Sequence, residues 1–348
     1  MKAFQVLRHG GPEAQVLRTD LNTPEPGPGD VRIKVSAAGL NNTDIWSREG
    51  AYGTQQDPAA RAGWKRVPLE FPCIQGGDIA GRIDGVGEEV DPSRIGQRVV
   101  VDPVIPGSDP SSNGLRDCRL VGSEVDGGFA DYTIVPSDNA LAVDAPVEDT
   151  ALAALPIAYL TAEHMLARVE LAAGETVLMT GASGGVGTAL VQLARARGAS
   201  VVAVAGSGKG QALRKLGAIE LVPRERFERR GAAALSLGDE SIDVVADVVA
   251  GPMLHALLNA LGYAGRYVTA GAIAGPLVDI DLRTVYLKQL TLAGSTLGTR
   301  ADFRRLVEYV EAGKVTPPVA GTYPLDELPR AQAHFLRKDF VGNIVVQP

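Results

Sequence analysis

Three things are scarce in this sequence, and each scarcity narrows what the chain can be. No uninterrupted apolar run approaches the ~18 residues of a membrane-spanning helix, and Met1-Lys2-Ala3-Phe4 leads into a strand pattern instead of a secretory apolar region. A soluble chain working in the cytoplasm is the expectation, with no membrane partner. Cysteine is nearly missing: Cys73 and Cys118 are the only two and form no CxxC, so neither a disulfide framework nor a zinc knuckle is expected. Positive charge is also short, with 34 Lys and Arg against 41 Asp and Glu and a net charge of −7. No overall field draws such a chain to nucleic acid or anionic lipid.

What is present reads as globular. The chain has 348 residues, 45% hydrophobic and 22% charged, which is too long for one ordinary core and apolar enough for two. Its 41 glycines gather where turns or close backbone approach are needed.

Two textures follow one another. Up to about residue 140, short β-branched runs alternate with Gly and Pro: Val31 to Val35, Ile79 to Ile83, Arg98 to Val101 and Tyr132 to Val135. From Ala151 to Val169 the chain reads as an Ala/Leu-rich amphipathic run, after which strands and helices alternate. The strands are Thr176 to Thr180, Ser200 to Val204, Ile242 to Ala246, Arg266 to Thr269 and Thr291 to Ala293. The helices between them run from Val186 to Arg197, Gly208 to Leu216 and Met253 to Leu261. Such alternation predicts right-handed crossovers and a doubly wound parallel sheet. The tail predicts a helix from Asp302 to Ala312, a second near Leu325 to Leu336, and a closing strand Asn343 to Val346. The expected division is 1–140, 141–298 and 299–348, in α/β class.

The most specific motif is Gly181-Ala-Ser-Gly-Gly-Val-Gly187, set between a strand and an amphipathic helix. That context marks a dinucleotide turn of Rossmann type. Gly184 leaves room for a pyrophosphate, Gly187 lets the helix pack on the strand, and the helix N-terminus offers free N–H groups to the anion. Ala182, Ser183, Gly185 and Val186 complete the candidate contact set. The next strand ends in Val204-Ala-Gly-Ser-Gly-Lys209, without the acid that would bind an unphosphorylated ribose. Ser207 can hydrogen-bond a 2′-phosphate and Lys209 can neutralise it, so NADPH is expected over NADH; a solvated lysine at a helix start is the plainer reading of Lys209.

Several motifs in fixed order now resemble the medium-chain dehydrogenase/reductase superfamily: Pro24-Glu-Pro-Gly-Pro-Gly-Asp30, Ala37-Ala-Gly-Leu40, Gly85-Val-Gly87, Gly127-Gly-Phe-Ala-Asp-Tyr132, the 181–187 turn, and Gly342-Asn-Ile-Val345. The resemblance implies a GroES-like β-rich catalytic domain, a Rossmann domain, and a tail returning to the first. It also implies two branches, one with catalytic zinc and one without. The zinc branch's ligand positions fall here on Asn41, Gly77 and Ile157, and glycine and isoleucine offer no side-chain donor. The structural-zinc stretch holds only Cys118. No metal is expected, and the chain is similar to the zinc-free quinone and enoyl reductases.

By that similarity Asn41 faces the nicotinamide pocket, and Tyr52, in Gly50-Ala-Tyr52, donates a proton. The chemistry agrees: hydride added to a conjugated carbonyl leaves an enolate that needs a hydrogen-bond donor and a proton, although water can serve with Tyr52 as mere lining. Asp44 reads as a cap for backbone N–H groups. Thr161 matches a family threonine near the nicotinamide, while Thr161 and Tyr159 can equally be core. Gly271, Ala272 and Ser295 sit at strand carboxyl ends, where small residues let backbone meet the carboxamide. Residues 53–66 read as an insertion beside the cleft, with Arg61, Trp64, Lys65 and Arg66 either seating an anionic substrate or lying in solvent. The leading expectation is reduction of a quinone, enone or enoyl thioester by a homodimer pairing through Leu287 to Leu292. A zinc alcohol dehydrogenase and a non-enzymatic NADPH-binding protein are the alternatives.

Overall fold

A computed structural model of the chain describes residues 1–54, 69–109, 115–236 and 241–348. Two large sheets organise it. In the first, Asp30–Gly39 is central: it pairs antiparallel with Asp78–Val86, Tyr132–Pro136 and Asn343–Gln347, and Val319–Pro324, Arg98–Val101 and Ala140–Ala142 extend the sheet. Val31, Ile33 and Val35 alternate inward along it, the two-residue period that buries one face of a strand. Their core includes Phe129, Leu325, Leu328 and Val346, so the last strands belong to the sheet that the first hundred residues begin.

The second sheet is wholly parallel, in the order Glu220–Pro223, Ser200–Ala205, Thr176–Met179, Ile242–Asp247, Leu261–Thr269, Thr291–Gly294. Helices cover it, among them Gly185–Ala196, and its central strands are almost continuously Val, Leu, Ile and Ala because both faces are buried. The chain crosses from one side of Thr176–Met179 to the other, which opens a crevice at the carboxyl ends of Thr176–Met179 and Ile242–Asp247.

The run from Ala151 to Val169 forms two helices, Asp149–Leu152 and Pro156–Arg168, with Pro156 opening the second. The second departs from the sequence reading: it is not amphipathic in use, since Ala158, Tyr159, Leu160, Ala162, Met165 and Leu166 are all buried around its circumference. It packs against both Gly185–Ala196 and Arg300–Glu311, so it has little water-facing side to mark with polar residues. Among the described residues no helix is long and apolar enough to cross a membrane.

Candidate active site

The 181–187 turn leaves the buried strand Thr176–Met179 at that crevice. Gly181 has φ +58, a left-handed conformation that glycine adopts at little cost. A Cβ on Gly187 would lie 2.2 Å from the Gly181 carbonyl and 2.5 Å from the Ala182 Cα, so only glycine lets the helix Gly185–Ala196 seat so tightly. At Gly184, the N-cap, the nearest atom to such a Cβ is 3.6 Å away, leaving open space in front of the free amides. Ala182 is buried, whereas Ser183, Gly185 and Val186 remain partly accessible. This cradle fits a pyrophosphate.

The tail closes on the same turn. Gly342 N donates to the Ser183 carbonyl at 3.0 Å, and Asn343, anchored to the Ala154 carbonyl at 2.9 Å, faces Gly185. Ser207 is exposed, and Lys209 is the N-cap residue of the helix Gly210–Leu216. The Lys209 ammonium turns back to Ser183 Oγ at 3.2 Å and to the Lys338 carbonyl at 2.6 Å. Lys338 itself went unrecognised in the sequence, where the only signal was a basic pair, Arg337-Lys338, shortly before Gly342-Asn343. Although the residue is exposed overall, its ammonium tucks over the Phe335 ring, 3.2 Å from the centroid, and donates to Asn42 Oδ1 at 3.0 Å. Burial, and then the neighbouring Lys209 charge, pull its pKa down to about 8. Two cations therefore crowd together beside the end of the strand Ser200–Ala205.

Beside the turn lies a cavity of about 600 Å³. Thr43, Trp46 and Ser47 reach it from the helix Asn42–Arg48, followed by Tyr52; Ile157 and Thr161 come from Pro156–Arg168; Ala270 to Ile273, Pro276, Thr296 and Leu297 come from loops beyond the parallel strands. Tyr52 tilts against Trp46 with ring centroids 6.0 Å apart. Burial pushes its phenol up to about 12, so it holds its proton across the neutral range. Thr161 donates to the Ile157 carbonyl at 2.7 Å and still faces the cavity, whereas Tyr159 is wholly buried and bonded to Gln192 at 2.7 Å, a core residue. Gly271 and Ala272 line the cavity directly. Ser295 holds the loop through its N–H to the Thr269 carbonyl at 2.9 Å, and its buried Oγ has no partner among the described residues.

Asn41 differs from expectation: it does not line this cavity. It is the N-cap residue of Asn42–Arg48, buried to 9% exposure, with its amide against the Asp78 carboxyl. Asp44 does cap backbone, accepting from Asn41 N at 2.7 Å. Burial raises both Asp44 and Asp78 to about 7. The position opposite Asn41 is filled by hydrocarbon, since a Cβ on Gly77 would meet Ile157 Cδ1 at 2.8 Å. Among the described residues no group of three His, Cys, Asp or Glu side chains could hold a metal ion. Of the expected insertion only Gly53 and Thr54 are within the described residues; Arg61, Trp64, Lys65 and Arg66 lie outside them.

With this geometry, the comparisons with known proteins agree on a family. Residues 27–145 match the alcohol dehydrogenase GroES-like domain, and residues 185–312 match the family described as zinc-binding dehydrogenase. The quinone oxidoreductase of Mus musculus is 33% identical over 344 residues, covering 96% of this chain and 93% of that one. The acryloyl-coenzyme A reductase of Metallosphaera sedula is 29% identical, covering 94% of this chain and 95% of its own. A Sinorhizobium meliloti 1021 protein, provisionally described as an alcohol dehydrogenase, superposes with a TM-score of 0.94 at 53% identity, covering all of this chain and 96% of that one. A GroES-like sheet, a doubly wound sheet and a glycine turn at their junction thus have relatives along the whole chain, which belongs to the medium-chain dehydrogenase/reductase superfamily and is an oxidoreductase.

Proposed function

We propose that the protein is a zinc-independent, NADPH-dependent reductase of a small conjugated acceptor, a quinone, enone or enoyl thioester. The observation that carries this reading is the cavity wall. A protonated phenol, Tyr52, stands in it, while the zinc-ligand positions hold Asn41, Gly77 and Ile157, with the Ile157 side chain occupying the space in front of Gly77. A Lewis acid has no donor set there, and a proton donor does. The relatives named for reduction of quinones and of acryloyl-coenzyme A support the same acceptor class.

Bound with its pyrophosphate on residues 182–187, the dinucleotide would supply a hydride equivalent to the acceptor. The chain's own work is then to orient and to protonate. Thr161, Gly271 and Ala272 border the nicotinamide side, whereas Ser295 stands behind that wall, with its buried Oγ off the cavity surface. As hydride reaches the β-carbon, charge grows on the carbonyl oxygen; the Tyr52 hydroxyl donates its proton to the resulting enolate or to its α-carbon. For the 2′-phosphate, Ser183, Ser207, Lys209 and Lys338 offer hydroxyls and ammonium groups at one strand end.

The assay is NADPH oxidation against a panel of quinones and enones, with Tyr52→Phe beside the wild type. The variant is expected to lose about 10²-fold in kcat with little change in dinucleotide affinity. Absence of turnover on every acceptor, or one zinc per chain by elemental analysis, overturns the reading.

The assembly we propose is a homodimer. Among the described residues Thr291–Gly294 pairs on one side only, and Leu277, Leu282, Tyr286, Leu287 and Leu292 near it are exposed at 93%, 69%, 63%, 66% and 42%. A second copy added edge to edge would cover them.

A further inference from the structure

Asp247 ends the strand Ile242–Asp247, beside Thr176–Met179, at the point where the strand order reverses. The residue is completely buried, yet among the described residues none of the hydrogen bonds its carboxylate accepts comes from Lys, Arg or His. One oxygen accepts from the Thr180 hydroxyl and from Val249 N at 2.9 Å; the other accepts from the Tyr267 phenol at 2.7 Å; both share the Ala250 amide at 3.1 Å. Burying a carboxylate with neutral donors alone is costly, and hydrocarbon would fill the same core more cheaply. The arrangement calls for a reason beyond packing.

The donors supply that reason, because they sit on three separate pieces of the site. Thr180 immediately precedes Gly181 of the phosphate turn, and its hydroxyl also accepts from Val248 N at 3.1 Å. Val249 and Ala250 belong to the turn that follows Asp247, where Ala250 and Gly251 adopt φ of +54 and +62. Tyr267 stands on the next strand, three residues before the loop that walls the cavity. The 248–251 turn then touches both halves of the site. A Cβ on Gly181 would lie 2.9 Å from Val248 Cγ2, a Cβ on Gly271 would lie 3.1 Å from the Val248 carbonyl, and the Val249 carbonyl accepts from Ala274 N at 2.9 Å.

We propose that Asp247 is a positioning residue that fixes the cofactor turn and the acceptor wall relative to each other through the 248–251 turn. A single anion with donors on every piece sets their spacing, and neutral donors leave the charge undivided for those backbone amides. This inference rests on the dinucleotide reading of the 181–187 turn.

Two hydroxyl deletions separate positioning from bulk stability. Thr180→Val keeps the shape and frees the side nearest Gly181, so the Kd for NADPH, read by cofactor fluorescence, should rise about fivefold with the acceptor KM unchanged. Tyr267→Phe frees the side nearest the 270–276 loop, so the acceptor KM should rise about fivefold with the NADPH Kd unchanged. Asp247→Ala should weaken both by about tenfold or more. Asp247→Asn removes the charge and sets an amide N–H against a backbone N–H that donates to the carboxylate, so it should weaken both, by less than Asp247→Ala. Should Asp247→Ala fail to fold, the two hydroxyl variants decide alone. Both constants unchanged in both variants, or moving together in step with Tm, overturns the proposal while the dinucleotide reading survives. A wild-type protein that binds neither NADPH nor NADH overturns the dinucleotide reading and this inference with it.

Discussion

Under the proposed NADPH preference, Lys338 sets a pH limit on cofactor choice. Its ammonium is a cation whose pKa in the folded protein is depressed to about 8, so the charge is present below that value and is lost as pH rises through it. Dinucleotide carrying a 2′-phosphate should accordingly bind more weakly as pH climbs from 7 to 9, while NADH affinity stays flat over the same range. Titrations of both dinucleotides across that interval check this. Lys338→Ala should cost NADPH about tenfold in Kd at pH 7 and abolish the pH slope; a slope that persists in the variant assigns the effect to another group. Lys209 stays on the phosphate side in either case, held by Ser183 and the Lys338 carbonyl.

The glycine turn and its helix behave as one element, and two glycines within it should respond in opposite ways. Gly187→Ala places a methyl against backbone at 2.2 Å and 2.5 Å, atoms that cannot swing aside, so the helix must move. A loss of roughly 1–3 kcal/mol in stability is expected, with dinucleotide binding lost too. Gly184→Ala has open space and an ordinary φ of −78, so its thermal midpoint should match the wild type while NADPH affinity falls, because the new methyl stands where the anion approaches. Differential scanning fluorimetry with and without NADPH distinguishes the two. This element was legible in the sequence because its chemistry demands particular residue types at fixed offsets within a dozen positions. Its strand neighbours were legible for a similar reason, being apolar runs of the right length. The break at Pro156 was signalled by the proline and was obscured by an Ala/Leu composition that suits either one helix or two. Asn41 was placed by motif at a cavity wall, but it is the N-cap of Asn42–Arg48, buried beside Asp78, which is thirty-odd positions away and on another strand. Lys338 was harder still: its partner Lys209 is 129 residues distant, and no local pattern encodes such a contact.

Taken as a whole, the molecule buries several carboxylates in a way that reverses the usual acid sensitivity. Burial raises Asp44 and Asp78 to about 7 and Asp102 to about 6, from 3.8. Between the unfolded and folded values the native chain holds protons that the unfolded chain has released, so the stability from these groups is complete below about pH 4 and is lost as pH rises through 6 and 7. Asp302 runs the other way: burial raises it, but His164 and Thr299 outweigh that and hold it at about 2, so its contribution is lost only in strong acid. Urea midpoints should therefore fall between pH 5 and 8, and Asp44→Asn should flatten the decline; a midpoint rising over that range contradicts the assignment. At the same scale, Leu277→Asp with Leu287→Asp should convert the proposed dimer to monomer in gel filtration, with the thermal midpoint of the monomer close to its parent's.

The place of Asn343–Gln347 in the first sheet also has a bearing on the order of events during synthesis. Its partner strand, Asp30–Gly39, is made some three hundred residues earlier. The parallel sheet, by contrast, is built from one continuous stretch, residues 176–294, and can close as soon as that stretch is free. The amino-terminal body must then wait, with Ala38 and Gly39 unpaired on one side, until residue 347 has emerged. A nascent chain arrested short of that residue should resist protease in its later half and yield in its earlier one, an inversion of the usual amino-to-carboxyl order of folding.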